Sequence, residues 1–316
     1  MERCGAKRFI LLFLTVLTLL CGAVPVVSAQ EEDSEEETYV ENEWNFVEGS
    51  MDDISGGIPS DATGVLERIL IAGKLRVATE PYFPPQEFID PTKSGQECFV
   101  GPDMELARLI ARRMGVTLEI VPMDFSEVLP AVTDGQCDLA ISALAYTPAR
   151  AMTVELSKGY YFSGDDAGNG VLIRTEDQDI YHSVEDFSKA VIGAQSASLQ
   201  ESIAADNFLN YKEFIRMNSV QDVYTALKSG RVDGAVVDVE TAEDYIENES
   251  DGSVMLVPEI RFSLDDHFKG DRIAAKKGQI QLLYFVNAVI DEVVESGQYM
   301  EWYREADAYA QSLGLE

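Results

Sequence analysis

Histidine, tryptophan and cysteine are scarce in this chain: two, two and four among 316 residues. The histidines are His182 and His267. Two of the cysteines, Cys4 and Cys21, lie in the apolar N-terminal segment, which leaves Cys98 and Cys137. A structural zinc site takes four closely spaced ligands and a catalytic one three. No such spacing occurs, so no metal and no other cofactor is expected. Basic residues are also few, 24 Lys and Arg against 56 Asp and Glu, for a formal charge of -32. That balance excludes nucleic acid, whose phosphates demand clustered basic side chains.

The one long apolar run, FILLFLTVLTLL at 9–20, follows Arg3, Lys7 and Arg8. Small residues stand at Val27-Ser28-Ala29. This order predicts a secretory signal peptide over 1–29, cleaved before Gln30, and hence a periplasmic or extracellular location. A membrane anchor is the competing reading, but the run is short for a span and no basic stop-transfer cluster follows. Lipid attachment at Cys21 is disfavoured by the bulky Leu20 before it. Residues 31–53 hold eleven acidic residues and no basic one. The stretch 30–60 therefore reads as a solvated acidic leader. Acidity elsewhere reads as solubility or adaptation to salt. In an oxidising compartment the remaining cysteines have one possible pairing, so a Cys98–Cys137 disulfide is expected.

Beyond the leader, apolar periodicity alternates between helix and strand. ATGVLERILIAG (62–73) carries a helical stripe and ends on Gly73, and LRVAT (75–79) is a strand. PDMELARLIARRMG (102–115) is a helix opened by Pro102. TLEIVPM (117–123), a short helix over 125–135 and the strand CDLAISAL (137–144) complete a first unit. The pattern recurs with strands at 170–174, 190–194, 212–217 and 232–238 and helices between them. SEVLPAVTDGQCDLAIS and VQDVYTALKSGRVDGAVVD share one plan: helix, glycine turn, Asp, apolar strand. A last strand, 271–277, and helices over 279–297 and 298–312 return to the first unit. The expected fold is α/β with two lobes, each a mostly parallel sheet flanked by helices. Lobe 1 takes 61–162 and 263–316, and lobe 2 takes 163–262. Ligands bind beyond the carboxyl ends of strands in such sheets, so the exits near Ser142 and at Asp238 mark a cleft.

The stretch DLAISALAYTPAR (138–150) runs from an apolar strand through Ser142 and Thr147 to Arg150. No histidine or cysteine base lies within it, so it suits anion binding better than nucleophilic catalysis. Together with LRVATEPYFPP, GPDMELARLIARRMG, VIGAQSASLQE and IAAKKGQIQLLYFVNAVIDEVVESGQYMEWY, it resembles the bacterial extracellular solute-binding proteins of family 3, over about Leu66 to Tyr303. The resemblance implies a two-lobed, non-catalytic receptor that closes on an amino acid and docks on an ABC permease in the membrane. A monomer is expected.

The same resemblance implies roles. Arg150 takes the ligand carboxylate through its planar guanidinium fork, helped by Ser142, by Ser198 at a helix start, and by a backbone N–H at Ala145, where a helix is expected to begin. Asp238 takes the ammonium, Glu80 lies near the site, and Phe83, with Tyr82 beside it, stacks on the ligand. The chain departs from the family pattern at Gln86, Ala143, Ala145, Ala197 and Leu199. These changes remove donors and favour a less polar or larger ligand. Two alternatives stay open. One is a lyase of the same fold that dehydrates cyclic carboxylic acids, with Glu80, Asp238 or His267 as acid or base. The other is a surface or sensor protein without a small ligand.

Overall fold

A computed structural model describes residues 60–162, 168–248, 251–263 and 269–315. The segments expected to be a signal peptide and an acidic leader, up to residue 59, and His267 lie outside the described residues. In chain order the elements are α1 (Gly64–Ala72), β1 (Lys74–Thr79), β2 (Tyr82–Phe83), β3 (Glu87–Ile89), β4 (Phe99–Val100), α2 (Pro102–Arg113), β5 (Thr117–Pro122), α3 (Phe125–Thr133), β6 (Leu139–Ala140), α4 (Pro148–Thr153) and β7 (Val154–Tyr161). They continue with β8 (Asn169–Arg174), β9 (Val191–Gln195), α5 (Leu199–Asn207), β10 (Glu213–Met217), α6 (Val220–Lys228), β11 (Gly234–Asp238), α7 (Val239–Asn248) and β12 (Val254–Phe262). The last are β13 (Asp271–Lys276), α8 (Ile280–Glu295) and α9 (Gln298–Leu313).

Two five-stranded sheets have matching plans, β5-β1-β6-β13-β7 and β10-β9-β11-β8-β12. In each, three strands pair in parallel, a fourth (β13 or β8) runs against them, and the edge strand (β7 or β12) pairs antiparallel with that one and so runs in the direction of the first three. The chain leaves the first sheet at Tyr161, enters the second at Asn169, leaves it at Phe262 and returns at Asp271. This α/β fold therefore has two lobes built from two crossings. Alternation along the strands feeds both faces of each sheet. In β8, Val171 and Ile173 pack with Phe187 and Phe208, while Leu172 packs with Tyr224 and Tyr245.

The internal repeat has a structural cause. Asp138 and Asp233 stand at the same place in the two sheets. Each accepts the N–H of the first or nearby residue of the neighbouring strand, Arg76 at 2.8 Å and Val191 at 2.8 Å. Each also pairs with an arginine of its own lobe, Asp138 with Arg76 at 3.0 Å and Asp233 with Arg174 at 3.2 Å. The helix–glycine turn–Asp pattern thus sets strand register twice.

Three expectations need correction. The Cys98–Cys137 disulfide is not formed. Cys98 packs with Phe99, Met104 and Ile120 and donates its thiol to the Gly95 carbonyl at 3.0 Å. Cys137 packs with Ala78, Val128 and Ala140. Ile120 lies in register with Val77, and Val77 and Ala78 point to opposite faces, so the sheet separates the two sulfurs. Burial pushes the Cys137 thiol up to about 11. The third strand pairs only over Leu139–Ala140, because Ala143 takes φ +43 and turns the chain out of the ladder. The helix expected at Ala145 begins instead at Pro148, capped by Thr147. The strands β7 and β12 and the helix α7 have no counterpart in the sequence reading. β12 carries exposed Pro258 and Glu259 and a register shift between Leu256 and Arg261, which hide its alternation. Among the described residues no helix is long and apolar enough to cross a membrane.

Candidate ligand-binding cleft

Both predicted strand exits open onto one cleft between the sheets, of about 1300 Å³ including its open mouth. Glu80, Phe83, Ser142, Ala145, Arg150, Ser198 and Asp238 all line it. Tyr82 does not: its side chain is 54% exposed, and its contribution is a backbone N–H to the Glu80 carboxylate. Strand alternation places Phe83 inward and Tyr82 outward.

Arg150 is positioned by the TPAR sequence. Thr147 accepts the Arg150 N–H at 3.1 Å, and Pro148 occupies the first helical turn. The buried guanidinium donates from Nη1 to the Ala145 carbonyl at 2.7 Å and from Nη2 to the Ala197 carbonyl at 3.0 Å. The first bond is within its lobe and the second crosses the cleft. Ala145 therefore acts through its carbonyl on Arg150, not through an N–H at a helix start. The Phe125 ring lies 5.6 Å from the guanidinium carbon. Burial lowers the Arg150 pKa to about 10, opposed by Asp271, so it stays cationic at neutral pH. Of the five N–H donors of an arginine, two are used among the described residues, which leaves donors for a planar carboxylate.

Ser142 and Ser198 are both committed to the protein. Ser142 Oγ accepts the Glu80 N–H at 3.0 Å and donates to Glu87 Oε1 at 2.9 Å. Ser198 caps α5, accepting from the Glu201 N–H at 3.0 Å and donating to the Gln195 carbonyl at 2.7 Å. Asp238 caps α7, with Oδ1 accepting from the Thr241 N–H and hydroxyl at 3.1 and 3.2 Å. Burial, and then Glu240, raises Asp238 to about 6. Glu80 is raised to about 8, by burial first and then by Asp124.

Acids dominate the rest of the lining. Among the described residues, Glu87, Glu240 and Asp271 join Glu80 and Asp238, and the basic side chains there are Arg150 and Lys269. Behind the floor, Asp103 accepts from the Ala143 N–H at 2.9 Å, Tyr160 at 2.9 Å and Tyr299 at 2.7 Å. Gly101 makes this packing possible, since a Cβ there would fall 2.3 Å from the Gln86 carbonyl. Burial and the nearby Asp103 push the Glu87 carboxyl well above the usual range. Glu240 accepts from Tyr161 at 3.0 and 3.1 Å and from Tyr303 at 3.3 Å across the cleft. Asn218 reaches Asp124 across it at 3.1 Å. Sequence reasoning missed Glu87, Glu240, Asp271 and Phe125, because their acidity or apolarity had ordinary explanations. The excess of acids was the available signal, and it was assigned to solubility.

Two lobes joined by two crossings, with a buried guanidinium and facing carboxylates in the cleft between them, define a small-molecule receptor. Residues 75–306 match the family described as bacterial extracellular solute-binding proteins, family 3, and the chain belongs to it. The arginine-binding extracellular protein ArtP of Bacillus subtilis is 27% identical over 226 residues, 71% of this chain and 82% of that protein. An amino acid ABC transporter substrate-binding protein, AbpA of Streptococcus pneumoniae, solved bound to L-arginine, superposes with a TM-score of 0.68 at 32% identity, covering 79% of this chain and 99% of that one. An ancestral amino acid-binding protein, a precursor of cyclohexadienyl dehydratase, superposes with a TM-score of 0.64 at 26% identity, covering 77% and 99%. The family's extracellular character places this protein outside the cytoplasm.

Proposed function

We propose that this protein captures a basic α-amino acid, arginine first among candidates, and delivers it to an ABC permease. The observation that carries this is a buried, cationic Arg150 in a cleft whose lining, among the described residues, holds five carboxyl side chains. Arg150 takes the α-carboxylate and Asp238 the α-ammonium. Glu80 takes the cationic end of the side chain, with Phe83 and Phe125 against its apolar stem. The loss of hydroxyls at Ala143 and Ala145 argues for a less polar ligand, but the carboxylates outweigh it, since an unpaired buried charge costs more than a missing neutral donor. The arginine-binding relatives support the same choice.

The remaining parts follow the same reading. The chain is exported with cleavage before Gln30, and it works as a monomer. Residues 61–162 with 263–316 form one lobe and 163–262 the other, closing on the ligand. No catalysis is assigned. Glu80 and Asp238 serve as counter-ions, a role that a bound cation stabilises and that proton transfer would disrupt. The dehydratase link of one structural relative is tested by looking for turnover of prephenate and arogenate, with none expected.

The decisive experiment is a thermal-shift and calorimetric series on the purified exported chain with arginine, lysine, glutamine and glutamate. Arginine or lysine should raise the melting temperature, as a ligand specific for the folded form must, and glutamate should not. Binding of glutamate or glutamine in preference to both basic amino acids would overturn the assignment.

A further inference from the structure

We propose that Asp271 is a second ammonium-binding carboxylate, facing Asp238 from the other lobe, so that one acid from each sheet holds the ligand's α-ammonium. This rests on the amino-acid reading above. Asp271 opens β13, where the chain returns from the second sheet to the first. Its backbone bridges Ala145, the residue whose carbonyl holds the Arg150 guanidinium. The Asp271 side chain thus lines the cleft beside the carboxylate fork.

Each of the other cleft acids already has a protein donor. Glu87 accepts from Ser142, Glu240 from Tyr161 and Tyr303, Asp238 from Thr241, and Glu80 from the Tyr82 N–H. Among the described residues no donor is found for the Asp271 carboxylate. The Asp271 carboxylate is part-buried at the cleft wall, where a cationic ligand can reach it and supply that donor. The charges around it say which end of the ligand that is. Asp271 feels Asp103, Asp238, Arg150 and Glu240. The Ala145 bridge sets Asp271 beside Arg150, and Asp238 acts on Asp271 from the opposite sheet. An α-ammonium is one carbon from the carboxylate that Arg150 binds, so it falls beside Asp238 and Asp271. It has three N–H donors, and Asp238 has committed Oδ1 to Thr241. A second carboxylate from the opposite lobe satisfies the donors that Asp238 leaves open.

The test is a cycle in protein and ligand. Calorimetry on the full exported chain compares L-arginine with 5-guanidinopentanoate, which lacks only the ammonium, for the wild type, Asp271→Asn and Asp271→Ala. Weak binders are measured by displacement. The variants should lose arginine affinity by roughly 30-fold or more. Their affinity for the analogue should stay within about threefold of the wild type's, an interval smaller than the coupling of residues in contact. Equal losses for both ligands would mean that Asp271 acts by orienting Arg150, and would overturn the proposal. So would unchanged arginine binding. Failure of the wild type to bind any amino acid would instead overturn the reading beneath it. Melting curves without ligand check that the variants fold.

Discussion

Arginine binding should release protons, and the amount should depend on pH in a way the cleft sets. In the unliganded protein Glu80 titrates at about 8 and Asp238 at about 6. Both are raised chiefly by burial, which disfavours the charged form. A ligand with an ammonium at Asp238 and a guanidinium at Glu80 favours the ionised carboxylates instead. Binding therefore removes whatever protons these groups hold. From these two groups that is about one proton per arginine near pH 7, almost all from Glu80, and about two near pH 5, and Asp271, whose carboxyl is also raised, adds any proton it holds. With both groups fully ionised in the complex, the association constant should rise about tenfold from pH 7 to pH 9, about 1.4 kcal/mol, and about a thousandfold from pH 5 to pH 7. These are upper limits for the share of Glu80 and Asp238, reached when the ligand keeps both carboxylates ionised throughout. Titration calorimetry at pH 7 in two buffers of different ionisation enthalpy reads the proton count directly. Glu80→Gln should lower the count by about one and flatten the profile between pH 7 and 9. Zero release at pH 7, or an affinity that falls as pH rises from 6 to 8, would refute the charge assignment of the cleft.

The unliganded fold should respond in the opposite sense. Glu80, Glu87, Asp238 and Asp271 all have raised carboxyl pKa values. Their contribution to stability is present below their unfolded values and is lost as pH rises through the folded ones. Through these groups the ligand-free melting temperature should fall between pH 5 and pH 8, and saturating arginine should reduce that fall. Arg150→Ala should weaken arginine by about 2–5 kcal/mol, and Arg150→Lys should lose heavily too, since an ammonium cannot offer the fork. Unchanged affinity in either variant would end its role. Asp138→Ala should cost about 3 kcal/mol of stability by denaturant titration, because it removes the buried partner of Arg68 and Arg76. It should leave ligand affinity nearly unchanged, as Asp138 lies outside the cleft lining. Reductant should not shift the melting temperature, because Cys98 and Cys137 lie in separate clusters on opposite faces of the sheet. A drop of several degrees would show that they bond.

Local signals determined much of this protein. Gly73, Pro102 and the apolar stripes of the long helices were legible because helix ends and faces depend on residues within one or two turns. Arg150 was legible because Thr147 and Pro148 build its turn from adjacent positions. The two Asp-led strands were legible as a repeat, though not their reason, since the N–H groups that Asp138 and Asp233 accept lie about 40 to 60 residues away in sequence. What only the tertiary structure decided was which acids share the cleft. Glu80, Glu87, Asp238, Glu240 and Asp271 come from three separate stretches of chain, 80–87, 238–240 and 271, and nothing local distinguishes Glu87, Glu240 or Asp271 from solvated surface acids. Burial and mutual repulsion raise Glu80, Glu87, Asp238 and Asp271, and both are properties of the packed lobes. The cysteines failed for the same reason. Chain order left one pairing open, while the intervening sheet put the two thiols on opposite faces.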